Sequence, residues 1–98
     1  MPKMINDEFT DFLYDAIVTL KTREECEMLF KDLCTIPEIK SMSQRLVVAK
    51  MLKNNMVYSE IVSKTGASTA TISRVNRSLN YDNGGGYDLV FERMEEKD

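Results

Sequence analysis

The stretch from Tyr58 to Leu79 constrains the fold more than any other part of this chain, because it combines a helix stop with a helix start. Gly66 falls where a first helix must end, a position that favours a residue able to adopt positive φ. Ser68 follows as a ready N-cap, whose side chain can accept a hydrogen bond from the backbone N–H of Ala70 or Thr71. The stretch therefore predicts two helices joined by a tight turn, the layout of a helix-turn-helix.

Each of the two predicted helices has an apolar side. Ile61 and Val62 supply that side of the first helix, and Ile72, Val75 and Leu79 recur at i, i+3 and i+7 on the second. The other residues of the second helix are expected to face outward: Thr69, Ala70, Thr71, Ser73, Arg74, Asn76 and Arg77. Small hydroxyl side chains near a helix N-terminus suit major-groove edges and phosphates. They favour DNA recognition, although a purely structural helical hairpin also needs an apolar stripe and a glycine stop.

The charges are unevenly distributed, which matters because the total of −3 alone argues against a DNA-binding protein. Residues 40–80 carry seven Lys and Arg residues against the single acid Glu60, a net charge of +6. Residues 1–39 carry a net −5 and residues 81–98 a net −4. A positive middle between acidic ends is a local electrostatic footprint that attracts phosphates. The alternative, charges that only solvate a surface, stays open.

Length and composition exclude several classes of protein. A chain of 98 residues has room for one domain and gains from dimerisation, because a helical chain this short buries little core alone. No apolar run approaches the roughly 18–20 residues of a membrane span, and no secretory signal opens the chain, so we expect a soluble cytoplasmic protein. There is no His, and Cys26 and Cys34 lack a metal or redox spacing. We therefore predict no metal site, no catalytic site and no enzymatic activity.

The first part of the chain predicts two amphipathic helices. Asn6 is a candidate N-cap for the first, whose apolar residues recur at helical spacing: Phe9, Phe12, Leu13, Ala16, Ile17 and Leu20. Thr22 and Glu25 have the spacing of a capping box and open a second helix that ends near Cys34. The apolar side of the first helix could pack inside one subunit or across a dimer, because periodicity does not distinguish the two.

The middle of the chain predicts the helix that supports the helix-turn-helix. Residues 35–38 and residues 41–44 each offer a helix start. The segment after them is apolar nearly all round, which is typical of a helix buried on most sides: Leu46, Val47, Val48, Ala49, Met51 and Leu52. Asn54 and Asn55 are expected to end it, since Asn tolerates the left-handed conformation of a C-cap.

The end of the chain predicts one more element. After the helix-turn-helix, at about residues 58–79, a Gly-rich linker spans residues 80–86. A short amphipathic helix follows at about residues 87–95. The expected fold is therefore all-α, with about six helices in a single domain over residues 1–98.

The most specific motifs lie inside the helix-turn-helix: Glu60-Ile61, Gly66-Ala67, Ala70-Thr71-Ile72-Ser73-Arg74 and Ser78-Leu79. With these motifs in their fourth and fifth positions, the six helical segments resemble the Trp repressor superfamily, and most of all its small bacterial YerC/YecD-like branch. The resemblance spans nearly the whole chain. It implies an intertwined all-helical homodimer that presents two symmetric recognition helices to double-stranded operator DNA.

The resemblance also implies which side chains touch DNA, because it places Thr69, Ala70, Thr71 and Ser73 at the family's major-groove and phosphate contacts. Together with the cap and the nearby cations, the predicted DNA-binding residues are Ser68, Thr69, Ala70, Thr71, Ser73, Arg74, Arg77 and Lys64.

A small-molecule effector pocket is a second implication of the resemblance. The positions that correspond to it hold Gln44, with Arg45 beside it, Arg74 and Ser78. Val75 stands where the family pocket has a glycine, and its branched side chain would occupy space that an indole ring needs. Gln44 stands where the family has an arginine. No cofactor is therefore predicted, the effector is unidentified, and Arg74 is interpreted first as an exposed or phosphate-contacting residue.

Two functions remain in competition at this point. The first is a sequence-specific transcriptional regulator, in the simplest case a repressor. It places the second helix of its helix-turn-helix in the major groove. The second is a protein-interaction module that keeps the fold without specific DNA binding, which the acidic ends leave open.

Overall fold

The chain folds into helices throughout the part that the computed structural model describes, residues 7–82 and 84–96. Six helices and no strand occur in those ranges, which confirms the all-α prediction: α1 (Glu8–Ile17), α2 (Arg23–Leu33), α3 (Ile36–Lys53), α4 (Tyr58–Thr65), α5 (Thr69–Asn80) and α6 (Gly86–Glu96). None of these described helices is both long enough and apolar enough to cross a bilayer. The chain divides into two compact units, residues 1–36 and 37–98, and the single domain over residues 1–98 stays a prediction.

The first unit begins with a capped helix. The Asp7 side chain accepts hydrogen bonds from the backbone N–H of Thr10 at 2.8 Å and from its hydroxyl at 2.9 Å. These bonds, the backbone one first, hold the pKa of Asp7 below its ordinary value. The sequence predicted Asn6 as this cap. Asn6 lies outside the described residues, and Asp7 performs the same chemistry one residue later.

The second helix starts as its capping spacing predicts. The Thr22 hydroxyl accepts from the backbone N–H of Glu25 at 3.1 Å, and the Glu25 carboxylate accepts from the backbone N–H of Lys21 at 2.8 Å. The predicted extent of the first helix was wrong at its end. The chain tightens after Ile17, where the N–H of Leu20 bonds the Ile17 carbonyl at 3.1 Å, so Leu20 does not extend the stripe of α1.

The apolar stripes of the first unit are only partly covered. Neither α1 nor α2 contains a buried residue, and the side chains of Phe9 and Phe12 are 85% and 76% exposed. Apolar surface of this kind costs about 25 cal/mol per Å² for as long as water covers it. The stripes therefore need a partner surface.

The second unit is built around α3, which is one continuous helix. The predicted helix start at Ser41 was wrong, because the serines here bond within the helix: the Ser43 hydroxyl donates to the Ile39 carbonyl at 2.8 Å. Val48 and Ala49 are fully buried, as expected. Leu46 and Val47 are 39% and 46% exposed, so the prediction that α3 is buried on most sides was wrong for the single chain.

The helix-turn-helix packs on the buried side of α3. The core cluster of the unit joins the two helices of the motif to their support: Val48, Ala49, Ile61, Ala67, Ile72, Val75 and Phe91. Gly66 has φ 75°, and its N–H bonds the Val62 carbonyl at 2.8 Å, which confirms its predicted left-handed stop. Ser68 caps α5 by accepting from the N–H of Thr71 at 3.1 Å, the second of the two predicted donors.

The last helix is docked on α3 by charge and by an aromatic ring. Lys53 Nζ lies 2.8 Å from Asp88 Oδ1, and Lys50 Nζ lies 3.4 Å from Glu95 Oε2 and 5.2 Å from the centre of the Phe91 ring. Phe91 itself is buried. Helix α6 begins at Gly86, one residue before the predicted start, so the connection after α5 covers residues 81–85, of which residue 83 is outside the described ranges.

We predict that Gly66→Ala lowers the free energy of unfolding by about 1–2 kcal/mol, because a Cβ strains the left-handed conformation. The strain is purely a backbone effect, since no atom lies within 4 Å of the added Cβ. Urea unfolding followed by circular dichroism measures the change. Gly86→Ala is the matched control, because Gly86 opens α6 without a positive φ and its substitution should be neutral or slightly stabilising. Equal midpoints for the two variants would contradict the prediction.

Candidate nucleic-acid interface

The packing of α5 decides which of its side chains face solvent. Ile72, Val75 and Leu79 are buried, with Val75 only 1% exposed. Ile61 of α4 and Val48 of α3 belong to the core cluster that also contains Ile72 and Val75. Because these residues occupy one side of a helix with 3.6 residues per turn, the positions between them project outward.

The predicted DNA-binding residues lie on this outward side and around the turn. Seven of them are exposed: Lys64, Ser68, Thr69, Ala70, Ser73, Arg74 and Arg77. Thr71 is half-buried, and its hydroxyl accepts a hydrogen bond from Ser68 Oγ at 3.1 Å. Ser68 and Thr71 are therefore partly engaged in starting the helix, whereas the side chains of Thr69, Ser73 and the two arginines project from it.

The N-terminal end of α5 differs in charge from the other helix starts. The first turns of α1, α2, α3, α4 and α6 all contain Asp or Glu, and the first turn of α5 contains neither. An acid in the first turn stabilises a helix through its dipole and also repels phosphate. Because the first turn of α5 has no such acid, the positive end of this helix is accessible to an anionic partner.

The cations of the middle segment fall into two groups. Lys50 and Lys53 are paired with acids of α6, and the hydrogen bond and charge of Asp88 raise the pKa of Lys53. Lys64, Arg74 and Arg77 form no ion pair with any residue in the described ranges 7–82 and 84–96. Lys40 and Arg45 of α3 form no ion pair with a described residue either, so the unneutralised positive charge of the middle segment lies on the helix-turn-helix and on α3.

A polar recess of about 520 Å³ extends this surface beyond the predicted residues. It is lined by Tyr58, Ser73, Asn76, Arg77, Tyr81 and Asp82. Tyr58 and Tyr81, which were not among the predicted site residues, line this recess together with Arg77. No spacing or motif in the sequence singles out Tyr58, the first residue of α4.

The predicted effector residues do not all meet. Gln44, Arg45 and Arg74 line one cleft of about 230 Å³ together with Ser41, Ala70 and Thr71. Ser78 lines a different recess with Leu46 and Tyr87. Arg45 Nη1 donates to Ser41 Oγ at 2.9 Å, and Val75 packs in the core cluster. In the single chain, three of the four candidates therefore line one cleft, and Ser78 lies apart from them.

Comparison with known proteins adds the family context to this geometry. A sequence model of the Trp repressor protein family matches residues 8–95. The chain is 52% identical over 86 residues to the uncharacterised protein YerC of Bacillus subtilis, a match that covers 88% of this chain and 82% of YerC.

Two solved structures are similar along most of their length. A protein from Staphylococcus aureus, described as a candidate Trp repressor, shares 50% identity with a TM-score of 0.87, covering 93% of this chain and 90% of that one. A TrpR-like protein from Eubacterium eligens shares 54% identity with a TM-score of 0.88, covering 93% of each chain.

Proposed function

The chain belongs to the Trp repressor family, and on that premise we propose that it is a homodimeric, sequence-specific regulator of transcription that binds double-stranded DNA. Helix α5 enters the major groove, and the simplest consequence of an occupied operator is repression. A regulator of this kind acts in the bacterial cytoplasm, where the DNA lies.

One observation carries this proposal: the outward side of α5 has no acid and holds two arginines that are not paired within the described chain. Arg74 and Arg77 can each bind a phosphate or a guanine edge through the guanidinium group. Thr69 and Ser73 bring small hydroxyl groups to the same side. A helix that served only structure would more often carry Glu, Lys, Ala or Gln at such positions.

Homodimerisation is supported by the apolar surface that one chain leaves uncovered. Phe9 and Phe12 of α1 are exposed, and Leu46 and Val47 of α3 are exposed as well. A second copy offers the same stripes and can cover them through an isologous contact. Two copies also bring two α5 helices to neighbouring major grooves, which in the usual geometry lie about 34–36 Å apart.

We predict that the purified protein selects a pseudo-palindrome from a random pool of DNA duplexes. The two halves should be centred about 10 base pairs apart, because each subunit reads one half-site. Sequencing of the bound fragments measures the enrichment, and sedimentation gives the number of subunits on each duplex. A monomer, or a pool without enrichment together with a stable protein partner, would favour the protein-interaction module instead.

We predict that Arg74→Ala and Arg77→Ala each weaken DNA binding and flatten its salt dependence. Each lost phosphate contact should reduce the slope of log K against log [salt] by roughly 0.9. Titration of the selected duplex at several salt concentrations measures both quantities. Lys31→Ala is the matched control, since it removes one exposed positive charge from α2, outside the motif. Affinity and slope that stay unchanged in both arginine variants would contradict the placement of α5 in the groove.

We further propose that DNA binding needs no tryptophan. Val75 fills core space, and the cleft beside Arg74 has Gln44 in place of a second arginine. L-Tryptophan should therefore leave both the DNA affinity and the melting temperature unchanged, because a ligand that favours the folded state would raise the latter. Binding titrations and thermal melts with and without the amino acid test this. Tighter operator binding in its presence would overturn it.

A further inference from the structure

Gln44 connects the supporting helix to the turn of the helix-turn-helix. Its amide Nε2 donates to the backbone carbonyl of Thr65 at 3.2 Å, and this bond is partly buried. Gln44 precedes Val48 by four residues on α3, and Val48 is fully buried beneath the motif. Positions four apart share one side of a helix, so Gln44 continues the side of α3 on which α4 and α5 rest.

The acceptor of this bond is a group that α4 cannot satisfy by itself. Thr65 is the last residue of α4, and the last four carbonyls of a helix have no partner inside it. Two nearby carbonyls are bonded locally: the Gly66 N–H bonds the Val62 carbonyl at 2.8 Å, and the Thr65 hydroxyl donates to the Ile61 carbonyl at 2.7 Å. The Thr65 carbonyl takes its donor from another helix. Gln44 therefore acts as a tertiary C-cap.

The recognition helix starts only a few residues after this cap. The Ala67 N–H bonds Thr65 Oγ1 at 3.0 Å, and Ala67 is buried in the core cluster. Ser68, the next residue, caps α5. Between the Thr65 carbonyl and the first residue of α5 there are only three residues, each with its own constraint. Holding that carbonyl against α3 consequently sets the position of Thr69 and the residues after it.

We propose that Gln44 is a positioning residue, which holds α5 in its DNA-binding orientation through the Thr65 carbonyl without the help of a small molecule. The proposal rests on the function proposed above and adds a residue that does not touch DNA itself. Gln44 lines the same cleft as Arg45 and Arg74. Because its bond to Thr65 lies within the chain, it can hold the orientation of α5 without a ligand.

The test removes the donor and keeps the length of the side chain. In Gln44→Met the amide hydrogen exchange of Gly66 and Ala67 should accelerate roughly two- to tenfold, the opening expected when one net hydrogen bond is lost. Affinity for the selected duplex should fall by a similar factor, roughly two- to tenfold. Gln44→Glu is a second variant, since a carboxylate of the same shape can only accept. Ser43→Ala is the control on the adjacent position, whose hydroxyl donates to the Ile39 carbonyl of its own helix.

The readouts separate a positioning role from general stabilisation. Faster exchange confined to Gly66 and Ala67, with Val48 unchanged and with weaker DNA binding, supports the proposal. Exchange that rises equally at Val48 would make Gln44 an ordinary stabilising residue and would overturn it. Unchanged exchange in both Gln44 variants would also overturn it. If the wild-type protein selects no DNA, the proposed function fails, whereas unchanged exchange and affinity in variants of a DNA-binding wild type refute the role of Gln44 alone.

Discussion

The burial of Ile72, Val75 and Leu79 is the constraint on which the helix-turn-helix depends. Ile72 and Val75 belong to the core cluster that contains Ile61 and the α3 pair Val48 and Ala49, and the burial of Leu79 extends the same side of α5. A helix fixed along one stripe has no freedom to rotate, so the identity of its outward residues is decided by packing and not by their polarity. Weak helix formers such as Thr and Ser are tolerated on the outward side because the tertiary contacts supply the stability that local propensity lacks. The surface that could read DNA is thus a consequence of the core beneath it.

Charge is arranged around that core so that the motif keeps its positive potential while the chain as a whole stays acidic. The acids of α6 neutralise Lys50 and Lys53, which lie in the last turn of the supporting helix. Arg74 and Arg77 have no such partner among the described residues. Non-specific affinity grows with the number of phosphates neutralised, so the net acidic charge of residues 1–39 and 81–98 limits what the chain gains from random DNA. In the proposed complex, discrimination between sequences has to come from the side chains of α5 that face the groove, which favours sequence-specific over general binding.

Local signals in the sequence were sufficient to predict the structure wherever a single residue type determines the backbone conformation. Gly66 and the Ser68 and Thr22 caps were predictable because positive φ and helix starts select particular residue types. The helix start at Ser41 failed for a related reason: a serine hydroxyl can bond a carbonyl of its own helix as readily as it caps a new one. The bond from Gln44 to Thr65 joins residues 21 positions apart, and no periodicity reports such a pair. This bond depends on how α3 packs against the turn. The separation of Ser78 from the other effector candidates likewise depends on tertiary packing.

In the proposed homodimer, the exposed stripes of the first unit link its folding to association. Helices α1 and α2 contain 10 and 11 residues, lengths at which an isolated helix is marginal in water. Their caps at Asp7 and Thr22 help each helix to start, yet no residue of either helix is buried. Burial of these helices needs a further surface, and in the proposed homodimer a second copy of the chain supplies that surface by symmetry. In that arrangement the stability of the first unit depends on protein concentration. The distance between the two α5 helices would then be set by the contact that makes the chain stable, so a half-site spacing on DNA would report directly on how the apolar stripes are covered.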